Sequence, residues 1–255
     1  MKSIRFYRSV FISDLHLGFR WCQAKAILSF LKSISCEKLY LVGDIFDLWE
    51  MKNKIWWNSD CNEIILQLLK MIKNGTTVIY LPGNHDDAIR KFLPCALGEG
   101  IEIADEYIHV TSNGNRYAVI HGDRYDVVVG NMKWLAILGS RIYDWLMFSN
   151  GYLHSIRVFF GYKKYWSLAG YLKKKTKKAV SFIDDFETAL AHHAKVNDCI
   201  GVICGHIHNA KLSIVDEIVY ANAGDWIESL TAIVETESGE LELLQWHCIE
   251  THHKK

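Results

Sequence analysis

Apolar runs that end in a small set of polar residues constrain this chain more than any other feature. Residues 4–12 read as a first strand, and Lys38-Leu39-Tyr40-Leu41-Val42 and Thr76 to Leu81 are continuous apolar runs of strand length. Runs of that kind suit strands buried on both faces. Between them, Cys22 to Lys32 and Asp60 to Ile72 carry apolar residues at helical spacing, the second closed by Asn74-Gly75 as a C-cap. The first 86 residues therefore alternate strand, helix, strand, helix, strand. Each strand delivers polar residues at its C-terminal end, where open α/β sheets place their ligands.

After residue 100 the rhythm changes. Ile101 to Val110 and Asn115 to Ile120 read as two strands joined by a turn at Asn113-Gly114. Gly201 to Cys204 is another strand. Lys211 to Val215 and Ile218 to Ala221 form a hairpin through Asp216-Glu217, and Leu230 to Glu235 and Glu240 to Trp246 another through Ser238-Gly239. This half is expected to be mostly antiparallel.

Residues 124–178 interrupt the pattern. They hold 11 Lys or Arg against two acids, Asp126 and Asp144, and 12 of the chain's 32 aromatic residues. Met132 to Phe148 is nearly all apolar but carries Lys133, Arg141 and Asp144, which suits a packed or interfacial helix and not a span. From Trp166 onward apolar positions keep helical spacing, with Lys173, Lys174, Lys177 and Lys178 on the other face. The segment reads as a helical cap inserted about 124–178 into one domain that spans 1–255.

Composition narrows the setting. Half of the residues are apolar, the formal net charge is zero, and seven cysteines form no C-x-x-C pair. That excludes a disulfide framework and a zinc ribbon and points to reduced thiols. No apolar run reaches the roughly 18 residues of a spanning helix, and the run at Val10 to Ile12 is too short for a signal peptide. The expected place is the cytoplasm, or its membrane surface.

The polar residues at the strand ends are Asp14, His16, Asp44, Asn84, His85, His121, His206 and His208. In an extended backbone Asp14 and His16 project to the same side. Imidazoles, carboxylates and an amide suit divalent transition metals such as Mn, Fe, Zn or Co, and Asp44 is suited to bridge two ions. Glycines at 18, 43, 83, 122 and 205 let the backbone turn tightly beside them. Asp47 and Asp86 read equally as turn or helix caps and as acids that orient an imidazole. His109, His154, His192, His193 and His247 read as ordinary structural histidines.

In order, the blocks are Asp14-x-His16, Gly43-Asp44-x-x-Asp47, Gly83-Asn84-His85-Asp86, His121-Gly122-Asp123 and Gly205-His206-x-His208. The series resembles the calcineurin-like metallophosphoesterase family. The resemblance implies an α/β (α+β) fold, a two-sheet β-sandwich flanked by helices, with two divalent ions, Mn²⁺ first and Fe or Zn next. One ion would be held by Asp14, His16, Asp44 and His208, the other by Asp44, Asn84, His121 and His206. A water between two cations about 3.5–4 Å apart becomes a nucleophile near neutral pH, and the ions neutralise charge on the phosphoryl oxygens. His85 would be catalytic, stabilising the transition state or protonating the leaving oxygen.

Within the family, chain length, Gly43-Asp44-Ile45-Phe46-Asp47-Leu48-Trp49, the helical insertion and Asn222-Ala223-Gly224-Asp225-Trp226 resemble the UDP-2,3-diacylglucosamine diphosphatase branch of the lipid A pathway. That resemblance implies hydrolysis of a pyrophosphate in an acylated UDP-sugar. Acyl chains would lie against Trp134, Leu138, Trp145 and Phe148, and phosphates against Asn84, His85 and basic residues such as Lys173 and Lys174. The basic face would also suit an anionic leaflet. One position departs from that branch: arginine follows the asparagine ligand there, whereas this chain has His85. A soluble phosphodiester or phosphomonoester remains the competing substrate. A nuclease is disfavoured by the greasy insertion and zero net charge. A scaffold like retromer's phosphoesterase-fold subunit is disfavoured because every ligand position is filled.

Overall fold

A computed structural model describes residues 4–93, 95, 96, 98, 100–125 and 168–247. The chain divides into two compact units, one of Met1–Asp123 with Ala189–Lys255 and one of Arg124–Thr188. The first unit holds two sheets. Strands β1 (Arg5–Ile12), β2 (Ile34–Val42), β3 (Thr77–Leu81), β4 (Cys95–Ala96), β5 (Ile101–Ile103), β11 (Thr231–Glu235) and β12 (Leu241–Gln245) form a seven-stranded sheet in the order β12-β11-β1-β2-β3-β5-β4. Strands β6 (Glu106–Val110), β7 (Arg116–Ile120), β8 (Gly201–Cys204), β9 (Lys211–Val215) and β10 (Ile218–Asn222) form a five-stranded sheet in the order β6-β7-β8-β10-β9.

The central strands β1, β2, β3 and β5 run parallel. Helices α1 (Ala24–Ser33) and α3 (Ser59–Lys73) supply the crossovers, as parallel pairing requires. Helix α3 starts at Asn58, whose side chain accepts the Cys61 N–H at 3.1 Å. It ends at Asn74, with Gly75 at φ +99°. Helix α1 passes into β2 at Ile34, which is extended, so no loop separates them.

The continuous apolar strands split their residues between two cores. Val10, Ile12, Leu39, Leu41, Val78 and Tyr80 join the core under α1 and α3. Their neighbours Phe11, Tyr40, Val42, Ile79 and Leu81 join Tyr117, Val119, Ile203 and Ala221 in the other core. Alternation along each strand puts successive side chains on opposite faces, so a strand with apolar residues at every position faces packing on both sides.

One sequence expectation is corrected. Ile101 to Val110 is not one strand: β5 pairs with β3 in the first sheet, and β6 pairs with β7 in the second. Ala104 and Asp105 make the change of sheet, at the point where the adjacent acids Asp105 and Glu106 interrupt the alternation. The later half is mostly antiparallel, as its hairpins imply, with β6-β7, β9-β10, β11-β12 and β1-β11 all antiparallel; β8 pairs in parallel with both β7 and β10. The structure adds α2 (Leu48–Met51), and from Trp166 the helical spacing corresponds to a long helix, α4 (Leu168–Val196). Trp134, Leu138, Trp145, Phe148, His154 and the expected helix Met132 to Phe148 lie outside the described residues, as do the side chains of Lys173 and Lys174. Among the described residues no helix is long and apolar enough to cross a membrane.

Candidate metal centre

The loops after β1 and β2 run side by side and extend the parallel pairing past the strands. Asp14 N–H donates to the Gly43 carbonyl at 3.0 Å, His16 N–H to that of Asp44 at 2.9 Å, and Leu17 N–H to that of Ile45 at 2.8 Å. The backbone there is strained. Asp14, His16, Asp44, His206 and His208 all have φ between 48° and 74°, a region that non-glycine residues rarely enter and that concentrates at functional sites. In that conformation Asp14, His16, Asp44 and His206 are buried, and His121, at the end of β7, is buried beside them.

Two groups of ligand atoms result. Asp14, His16 and His208 bring one set of donors within 4.8 Å of each other, and Asp44, His121 and His206 bring another. Asp44 links them, with Oδ2 4.0 Å from His16 Nε2 and 3.4 Å from His121 Nε2. The fit to cations is chemical. His121 Nδ1–H donates to the Val42 carbonyl at 2.8 Å, so the lone pair sits on Nε2, which faces Asp44 Oδ2 and lies 3.1 Å from His206 Nδ1. His16 Nδ1–H donates to Asp47 Oδ2 at 3.0 Å, which places its lone pair on Nε2 as well. Among the described residues, buried His16 Nε2 and Asp14 Oδ1 have no hydrogen-bond partner. His208 Nε2 lies 3.1 Å from Asp14 Oδ1 without hydrogen-bond alignment. Orphaned acceptors and converging lone pairs are costly unless a cation joins them.

The charges agree. Burial pushes the Asp44 carboxyl up, but His121, then His16 and His85, hold it well below the usual carboxylate range. Burial pushes the His121 imidazole down, yet Asp44 and Asp14 raise it to about 10. His208 is likewise raised, against burial, by Asp14. Glycines keep the centre narrow. A Cβ on Gly83 would lie 2.2 Å from Asp44 Oδ1 and 2.6 Å from His121 Nε2.

His85 stands at the rim. Its N–H donates to Asp44 Oδ1 at 2.8 Å, and its Nδ1 pairs with Asp47 Oδ1 at 2.9 Å. Trp49, half exposed, stacks on the ring with centroids 4.4 Å apart. Burial pushes the His85 imidazole down, but the bond to Asp47 and the charge of Asp44 leave it raised. Asp47 therefore orients two imidazoles, and it also caps α2 by accepting the Glu50 N–H at 3.0 Å. His16, Asp47 and His85 also cluster tightly, but both Asp47 oxygens are occupied by imidazole N–H groups, as in an orienting carboxylate.

Asp86 braces the turn before it; at the start of the 3-10 helix Asp87–Phe92 its side chain makes no cap bond. It accepts from Gly83 N–H, Ile45 N–H and the Tyr80 hydroxyl, and it orients no imidazole. His109 is a core residue: it bonds Tyr40 Oη at 2.9 Å and Glu235 Oε2 at 3.0 Å.

Sequence reasoning missed three supports. The Ser13 hydroxyl lies between the Asp14 carboxylate and the Val42 carbonyl. Asn222 donates to the Gly205 carbonyl at 2.9 Å, holding the turn that carries His206 and His208. Arg90 binds the ends of two strand loops. Serine beside aspartate, or a lone arginine, gives no pattern; only Asn222, inside a quoted block, carried a signal.

A family model for calcineurin-like phosphoesterases matches residues 7–210. The chain belongs to the calcineurin-like phosphoesterase family. It is a metal-dependent phosphoesterase. Relatives of this phosphoesterase include the UDP-2,3-diacylglucosamine hydrolase of Aliivibrio fischeri (strain MJ11), 24% identical over 85% of this chain and 90% of that one. That of Vibrio atlanticus (strain LGP32) is 24% identical over 80% and 82%. That of Shewanella frigidimarina (strain NCIMB 400) is 22% identical over 91% and 94%. Among solved structures, a hypothetical protein from Pyrococcus horikoshii OT3 superposes with a TM-score of 0.50 at 11% identity, over 95% of this chain and 88% of that one. This last likeness concerns the fold alone.

Proposed function

We propose that this phosphoesterase hydrolyses the pyrophosphate of a UDP-2,3-diacylglucosamine-type lipid nucleotide, giving UMP and the acylated sugar 1-phosphate, with two Mn²⁺ ions. The observation that carries the two-ion part is Asp44, whose Oδ2 faces a ligand imidazole of each donor group. Asp14, His16, Asp44 and His208 would hold one ion, and Asp44, Asn84, His121 and His206 the other. The bound ions supply an acidified water and neutralise charge on the phosphoryl oxygens. Asp47 holds His16 with Nε2 toward the centre and fixes His85 through Nδ1. His85 then has Nε2 for delivering a proton to the leaving oxygen, and the Trp49 stack keeps its plane.

The substrate part is supported by relatives of that name spanning most of both chains. In this reading residues 1–255 form one metallophosphoesterase domain with a helical cap at about 124–178. Trp134 and Trp145 meet acyl chains, Lys173 and Lys174 meet phosphate, and the protein works in the lipid A pathway at the inner membrane face. A second reading, a water-soluble phosphoester, is favoured by His85 standing where that branch has arginine.

The test is a panel of UDP-2,3-diacylglucosamine in detergent, bis-p-nitrophenyl phosphate and p-nitrophenyl phosphate with Mn²⁺. Turnover of the lipid nucleotide is expected, lost on chelation and restored by Mn²⁺. Cleavage of the simple esters alone would leave the second reading in place.

A further inference from the structure

Arg90 stands on the short 3-10 helix Asp87–Phe92 that follows the Asn84–His85 loop. All five of its N–H donors meet an acceptor. Nε–H donates to Asp105 Oδ1 at 2.9 Å. Nη1 donates to Asp87 Oδ1 at 2.9 Å and to Asp123 Oδ2 at 2.8 Å. Nη2 donates to Asp123 Oδ1 at 2.8 Å and to the Pro82 carbonyl at 2.7 Å. The acceptors come from distant parts of the fold. Pro82 follows β3 of the first sheet, Asp105 lies in the crossover from β5 to β6, and Asp123 is two residues beyond His121 at the end of β7 in the second sheet.

A planar fork of five donors fixes angles as well as distances among such partners, whereas an ammonium with three rotatable donors cannot. The pair with Asp123 uses both carboxylate oxygens, the bidentate geometry with the most directional constraint. With the Arg90 side chain only 16% exposed and that of Asp123 11%, this is not a solvated surface bridge of small effect. The contact from Nη2 to Pro82 also closes the loop that carries Asn84 and His85 upon itself.

We propose that Arg90 is a positioning residue for the metal centre: by joining Pro82, Asp105 and Asp123 it sets the separation between the Asn84–His85 loop of one sheet and His121 of the other. The inference rests on the two-metal reading given above. It makes a selective demand. The ion assigned to Asp44, Asn84, His121 and His206 depends on that separation, while the ion assigned to Asp14, His16, Asp44 and His208 does not.

The experiment titrates the metal-stripped full chain with Mn²⁺, followed by calorimetry and by the electron paramagnetic resonance of the coupled ion pair. Wild type is compared with Arg90→Lys and with Ile27→Val, a mild core change in α1 that controls for general loss of stability. Wild type binds two ions. Arg90→Lys keeps one site at wild-type affinity and weakens the other by about 10–100-fold, the range seen when a group supporting a metal ligand is lost. The coupled signal then appears only at high Mn²⁺, and Ile27→Val behaves as wild type. Should Arg90→Lys fail to fold, Asp123→Asn, which keeps the shape and removes the charge, is judged by the same criteria. Two sites unchanged in the Arg90 variant, or both weakened alike and in step with its melting temperature, would overturn the positioning role and leave the two-metal reading intact. Wild type that binds fewer than two ions would overturn both.

Discussion

At the scale of single residues, Asp47 has the widest reach of any side chain around the centre. One carboxylate holds the His16 imidazole, holds the His85 imidazole at the rim and caps the helix that begins beside it. Burial pushes its pKa up, yet the hydrogen bonds from His16 and His85 hold it well below the usual range. Asp47→Asn keeps the shape but offers an amide nitrogen where one imidazole N–H now donates, so one ring must turn. We expect kcat/KM and Mn²⁺ affinity each to fall by about 10–100-fold, measured by steady-state kinetics and metal titration, with the melting temperature little changed. A variant that kept both would remove the orienting role. The block Gly43-Asp44-x-x-Asp47 made this acid visible in the sequence, with its cap and its orienting role evenly weighed. Both apply, because the side chain has two oxygens and the folded chain brings a different donor to each.

Among the elements, the sheets are tied by a buried polar chain. Tyr40 on β2 bonds His109 on β6, and His109 bonds Glu235 on β11, which also accepts the Ser112 N–H at 2.8 Å. Burial pushes the Glu235 carboxyl up, but His109 and the Ser112 amide leave it lowered. A carboxyl with a lowered folded pKa stabilises the fold fully above the ordinary glutamate range, near 4.3. That contribution is lost as the pH falls through the lowered folded value. Melting curves between pH 6 and pH 3 should therefore fall more steeply for wild type than for Glu235→Gln; equal slopes would show that this pair does not govern the acid limb. Nothing in the sequence joins these three residues, which lie in three separate apolar runs. Strand existence was legible there from apolar pattern and turn residues, but partners were not. The run Ile101 to Val110 shows why: Asp105-Glu106 interrupts its alternation, but two charged residues in a row do not say that the halves join different sheets.

For the molecule as a whole, metal and stability are expected to be linked. Ligand groups that carry positive φ and converging lone pairs are unfavourable without a cation, and an ion that binds only the folded chain stabilises it by mass action. At a free Mn²⁺ concentration of 100 times Kd the gain is about 2.7 kcal/mol per site. For a chain of this size that raises the melting temperature by about 5–10 °C. Thermal denaturation of the stripped protein with and without Mn²⁺ measures it, and superimposed curves would argue that the centre binds no metal in the folded state.

The sequence by itself singled out the residues proposed to bear the chemistry, because metal ligands must be imidazole, carboxylate or amide and these gather where strands end. It also determined that the first three strands are buried on both faces, because their apolar residues leave no polar face for water. Only the tertiary structure decided how those residues meet. Asp14 and His208 are almost two hundred positions apart, yet β1 and β8 end at the same edge of the packed sheets. The left-handed backbone at Asp14, His16, Asp44, His206 and His208, the two imidazoles on Asp47 and the five acceptors around Arg90 are likewise decided by packing. Each depends on groups brought together from distant parts of the chain, and local pattern carries no record of a distant partner.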